Sequence, residues 1–238
     1  ESVCYLKSLM NNNISKGLKI NDFKEIASYT DQSNELRPTV FDFLAHRALD
    51  FFQSNTFNVP GPAETFTIED ANYFSSATTF LSLKPTTTDS LNTRFYAVKL
   101  LQELSRFHKD EGNTVALFGV ELDRLRFMRA NAFHPEKEDL YYTALQRLTN
   151  NYKSIEYVSE AWYEIAAVHS NRGDQYNFLG DTTNRWEKKV AVDICDKTIA
   201  KYPKAYGSQQ CAALKSTIFY KELNLSGEQA IATNKKSK

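Results

Sequence analysis

A chain of 238 residues with 42% hydrophobic and 13% aromatic side chains can build a substantial core and does not read as disordered. Its 29 lysines and arginines balance 29 aspartates and glutamates, so no long-range field draws it to nucleic acid or to an anionic membrane. No run of about 18 apolar residues is present to span a bilayer, and the opening Glu1-Ser2-Val3-Cys4-Tyr5-Leu6 is no secretory signal; we expect it to be a cut inside a larger protein.

Residues 1–52 are expected to form an N-terminal helical segment. The tract 3–10 reads as the end of a helix before Asn11-Asn12-Asn13, and a second short helix is expected over 22–29. Arg37-Pro38-Thr39 then leads into residues 40–52, where Pro38 suits the first turn of a helix and Val40, Phe41, Leu44, Ala48 and Phe51 make a stripe of mixed i+3 and i+4 spacing. Residues 53–92 differ. Pro60-Gly61-Pro62, the run Thr86-Thr87-Thr88 and many short polar side chains predict an irregular connection, with a short helix around 68–74 and an apolar segment near 80–83.

Residues 93–225 are regular. A helix over 93–109 presents Tyr96, Ala97, Leu100, Leu101, Leu104 and Phe107 on one face. Glu111-Gly112-Asn113 turns the chain into a second helix with Val115, Phe118, Leu122, Leu125 and Met128 inward. Pro135 marks a further helix entrance, and a helix over 160–172 carries Ala161, Trp162, Ile165, Ala166 and His169 until Gly173 releases it. A polar link over 174–184 precedes Trp186 and a last pair of helices divided at Tyr202-Pro203-Lys204. Trp162 and Trp186 both read as seals of helix interfaces. Residues 226–238 read as a polar tail whose Lys235, Lys236 and Lys238 are solvated.

This alternation of amphipathic helices and short turns predicts an all-α chain of irregular helical hairpins forming a short α-solenoid, with a compact irregular bundle as the alternative. Two parts resemble degenerate tetratricopeptide (TPR) repeats. In one, Ala161-Trp162-Tyr163-Glu164-Ile165-Ala166 matches the first helix, and Ala191, Cys195, Thr198 and Pro203 match the spacing of the second. In the other, Tyr206, Cys211 and Ala212 take the corresponding first-helix places, Ala212 standing where glycine is usual. The 37–49 stretch Arg37-Pro38-Thr39-Val40-Phe41-Asp42-Phe43-Leu44-Ala45-His46-Arg47-Ala48-Leu49, taken with Glu160-Ala161-Trp162-Tyr163 and with Ile199-Ala200-Lys201-Tyr202-Pro203, resembles the helical N-terminal region of large bacterial alpha-2-macroglobulin-like proteins over roughly residues 1–225.

That resemblance implies a parent protein of the bacterial periplasm or cell envelope. Outer-membrane anchoring through a preceding segment, as in a lipoprotein, is one arrangement it allows. It also implies downstream β-rich macroglobulin domains as partners in the same chain, and a protease or peptide as the outside partner. The family's thioester motif is not in this sequence, so covalent trapping is assigned to no residue here, and the local role is expected to be scaffolding or interdomain docking rather than catalysis.

Candidate chemistry is sparse. The histidines stand singly at 46, 108, 134 and 169, without metal-ligand spacing, and no cofactor is expected. His46 and Asp50 read as a local pair or as exposed groups. Glu160 and Glu164 share a helix face and read as solvated or ion-paired; a hydrolase using either with His169 is the weaker alternative. Arg124, Arg126 and Arg129 read as surface or interdomain ion-pairing groups. Cys195 and Cys211 lie on adjacent expected helices and read as buried free thiols, with a single disulfide as the alternative. Tyr163, Tyr176 and Phe178, with Arg126, are the candidate contacts for a peptide or a neighbouring domain.

Overall fold

The computed structural model describes residue 8 and residues 13–25, 31–53, 66–89 and 91–220. Among these residues the fold is all-α and has no sheet, its extended pairing confined to two isolated bridges, Lys19 with Thr39 and Ile68 with Ala132. The α-helices are α1 (Asn13–Gly17), α2 (Asp31–Leu36), α3 (Val40–Gln53), α4 (Ala77–Ser82), α5 (Thr93–Asp110), α6 (Thr114–Asn131), α7 (Lys137–Asn151), α8 (Val158–Asp174), α9 (Glu187–Lys201) and α10 (Tyr206–Phe219). Short 3-10 helices cover Ile20–Phe23 and Ala71–Phe74. Except for Ser8, the helix expected over 3–10 lies outside the described residues, and the one expected over 22–29 is a 3-10 turn where it is described.

Local chemistry sets the helix ends. Thr39 and Asp42 form a reciprocal cap at the start of α3: the Asp42 carboxylate accepts from the Thr39 backbone N–H at 2.9 Å, and Thr39 Oγ1 accepts from the Asp42 N–H at 3.1 Å. Between α5 and α6, the Gly112 N–H donates to the Lys109 carbonyl and the Asn113 N–H to that of His108. Gly112 takes φ +68° in this left-handed closure, and Asn113 Oδ1 then caps α6 through Ala116 N–H. Gly173, expected to release α8, lies inside it. A side chain there would run into Lys188, so this glycine lets the start of α9 approach.

Packing follows chain order. α3 packs on α5, α5 on α6, α6 on α7, α7 on α8, and α8 on both α9 and α10, which also touch each other. The inward residues predicted for α5 and α6 are buried, with Leu100, Leu101, Leu104, Phe118, Leu125 and Met128 in one continuous core. In α3 the buried stripe is turned from the expected one: Phe41, Ala45, Ala48, Leu49 and Phe52 face inward and Phe51 is exposed. The turn brings the polar Asp42 and His46 into the interior, where partners on α5 and α6 receive them.

The described part of the irregular connection is built into this core. Ile68, Tyr73, Phe74 and Phe80 are buried, and three polar side chains satisfy the backbone they bring in. Arg124 donates to the carbonyls of Tyr73 at 2.6 Å and Ser75 at 2.9 Å, Arg147 to that of Phe74 at 2.6 Å, and Gln102 to those of Phe80 and Leu83. Arg124, grouped by the sequence with surface ion pairs, is thus fully buried, its guanidinium 4.7 Å from the Phe80 ring centre. Burial pulls it down to about 10, so it stays charged at neutral pH.

Candidate functional site

Helices α6, α7 and α8 enclose an open recess of about 380 Å³, lined by Arg126, Arg129, Lys137, Glu138, Tyr141 and Glu164. Helical periodicity explains the set: Arg126 and Arg129 are three apart on α6, Lys137 and Tyr141 four apart on α7, so each pair stands on one face. Arg126 Nε donates to Glu164 at 2.6 Å, and its other nitrogens approach Asp123 at 3.6 Å and Glu160 at 3.7 Å. Burial alone would lower this guanidinium; Glu164 first, then Asp123 and Glu160, keep it above its ordinary value. Glu164 also accepts from the Tyr141 hydroxyl at 2.9 Å, which together with burial drives the phenol well up. Arg129 forks onto Glu138, with contacts from 2.8 to 3.2 Å, and lies over the Tyr141 ring at 4.9 Å. Lys137 makes no ion pair among the described residues.

The Arg126 network continues inward. Asp123 takes Arg37 at 3.2 Å and His46 Nε2 at 3.4 Å, while His46 Nδ1 meets the Asp42 carbonyl at 2.8 Å. Burial would raise the Asp123 carboxyl, but His46, Arg37 and Arg126 hold it below the usual carboxylate range. His46 therefore pairs with Asp123 and the Asp42 backbone rather than with Asp50, which is exposed.

The suggested acid–base partners do not meet. His169 stands five positions after Glu164, which turns them apart on α8. Glu164 is occupied by Arg126 and Tyr141, whereas His169 Nδ1 contacts Glu187 at 2.5 Å and its Nε2 the Tyr142 hydroxyl at 3.3 Å. Among the described residues no three or more His, Cys, Asp or Glu side chains are grouped to hold a metal ion, and no helix is long and apolar enough to cross a membrane.

The four candidate contact residues fall in three places. Arg126 lies in the recess. Tyr163 is half-buried against the small cluster of Ala166, Ala191, Cys195 and Cys211 between α8, α9 and α10. Tyr176 and Phe178 lie between α8 and α9, Tyr176 half-buried and Phe178 73% exposed. Phe178 is displayed by a closed turn in which the Asn177 N–H donates to the Asp181 carbonyl, the Gly180 N–H to the Asn177 carbonyl and the Leu179 N–H to Asn177 Oδ1. Leu179 is also bare, and so is Trp186, expected to seal an interface but covered on one face only by the Arg185 guanidinium at 4.9 Å. Leu179 had a sequence signal in its place beside Phe178 between Asn177 and Gly180. Trp186 had none, since a tryptophan near a helix start reads the same buried or exposed.

No family model matches the chain, and no curated protein or solved structure matches it.

Proposed function

We propose that this chain is a non-catalytic scaffold for interdomain or protein–protein contact, in the manner of a TPR-like helical solenoid, within an envelope-associated macroglobulin-like protein. The observation that carries the scaffold reading is the turn that presents Phe178 and Leu179, with Trp186 nearby in sequence, as exposed apolar side chains on a stack of helices. Apolar side chains that a folded helix stack leaves bare are available to a partner surface.

Two further features support the TPR-like part. α8 packs on both its hairpin partner α9 and the following helix α10, the arrangement expected when each hairpin covers the open side of the one before. Of the residues that carry the repeat resemblance, Ala166, Ala191, Cys195 and Thr198 are buried on these helices and Ala161 lies in the main core, while Ala212 is exposed and Gly207 takes the close crossing instead.

A photo-crosslinking amino acid at position 178 of the parent protein tests the scaffold reading. Crosslinks to β-rich domains of the same chain are expected, and crosslinks to no protein segment would overturn it. The coding sequence after the Lys238 codon tests the macroglobulin part separately: β-rich domains are expected there, and a stop codon would remove that part alone. An independent peptide-binding module is the second reading, favoured by the recess, in which Lys137 makes no ion pair among the described residues. A peptide array followed by calorimetry tests it, and the absence of any selective ligand would overturn it.

A further inference from the structure

The last described helix buries only small residues, Gly207, Ser208 and Cys211. α8, α9 and α10 meet around Ala166, Ala191, Cys195 and Cys211, none of them with exposed surface, with the larger Tyr163, Ile194, Leu214 and Ile218 packed around them only partly buried. Gly207 brings the start of α10 so close to the backbone of Ser159 and Glu160 that no side chain fits between. Within this seam Cys195 on α9 and Cys211 on α10 lie together in one small buried cluster, both as free thiols. Two thiols in one small cluster between helices that pack on each other meet the first requirement for a disulfide, which is that their elements run close enough to be bridged.

We propose that Cys195 and Cys211 are an oxidisable pair that closes to one disulfide and staples α10 to α9. The reaction is thiol–disulfide exchange with an external disulfide of low molecular weight. The Cys195 thiolate attacks one external sulfur and expels a thiolate; the deprotonated Cys211 sulfur then attacks Cys195 in the mixed disulfide and expels the second. Two protein thiols give up two protons and two electrons, and the external disulfide is reduced to two thiols. Both sulfurs are sealed in the folded protein, so exchange takes place on the folding chain or when α10 opens. The bond would close the hairpin across its own turn at Tyr202–Ala205. The pairing stands whether or not the scaffold reading does.

The test uses the full chain carrying Cys4→Ser, which leaves these two thiols. It is refolded with a mixture of reduced and oxidised glutathione, alkylated with iodoacetamide and digested with trypsin without reduction. Lys197, Lys201 and Lys204 separate the cysteines, so the bond joins peptide 190–197 to peptide 205–215. The expected result is that linked pair, a melting temperature about 5–10 °C above the reduced form, and slower amide exchange across Tyr206–Phe219 on oxidation. Recovery of both peptides alkylated in folded protein would overturn the proposal, and so would a linkage that leaves exchange in α10 unchanged.

Discussion

Nε2 of His108 lies 2.6 Å from Oδ1 of Asp42, and neither side chain has any exposed surface. The same carboxylate caps α3 through Thr39, so one buried group fixes both the start of α3 and its seating on α5. Replacing Asp42 by Asn keeps the volume but weakens both roles, and we expect a loss of about 3 kcal/mol in guanidinium unfolding. The exposed Asp50→Asn, two turns along the same helix, serves as the control and should leave the midpoint unchanged.

Two glycines should respond differently to alanine. At Gly112 the space is open and the cost is conformational, from the φ of +68°, so Gly112→Ala should lose about 1 kcal/mol. At Gly207 a methyl group would strike the Ser159–Glu160 backbone, and Gly207→Ala should cost about 3 kcal/mol, from overpacking. Amide exchange separates them: it should rise selectively in α10 for Gly207→Ala and not for Gly112→Ala.

Arg124 holds the buried connection by its carbonyls. Lysine cannot reproduce the two-pronged contact or lie flat over Phe80. Arg124→Lys should therefore destabilise by about 3 kcal/mol. Limited proteolysis should show new cleavage in 69–76 before the helices open; cleavage there unchanged from the native protein would refute the anchoring role.

Asp123 and Glu121 should push the acid limb of the stability curve in opposite directions. The Asp123 carboxyl is lower folded than its ordinary 3.8, so its stabilisation is complete above that pH and is lost as pH falls through the folded value. Glu121 is raised above 4.5, by burial first and only partly offset by Arg124, so its protonation favours the fold as pH falls toward 4.5. Urea midpoints from pH 3 to 7 should fall less steeply on acidification in Asp123→Asn than in the native protein, and more steeply in Glu121→Gln.

The helices after residue 92 were legible because each carries its own instruction: the apolar spacing of Leu100, Leu101 and Leu104, and the Gly112-Asn113 closure. The orientation of α3 was not, because Asp42 and His46 look like exposed residues until partners 66 and 77 positions away, His108 and Asp123, are in place. Arg124 misled for the same reason. Arg126 and Arg129 both line the recess, and spacing could not distinguish from them the buried Arg124 that precedes both. At the candidate contacts, Phe178 in a polar turn was readable from neighbouring residues, whereas the recess depends on how three helices come together.

Helix-on-next-helix packing also bears on how the chain acquires its shape. From α5 to α10 each helix finds its principal partner one or two elements away, so contacts close over short stretches of chain and the entropy lost in each closure is small. Folding can then advance as a growing front as the polypeptide leaves the ribosome, each new hairpin docking on one already formed. α2 departs from that order, since it packs on α6 and its Glu35 accepts a hydrogen bond from Tyr157, 122 positions later. The N-terminal segment must therefore wait for the middle of the chain, and those late contacts lock a stack that otherwise assembles in the order of its synthesis.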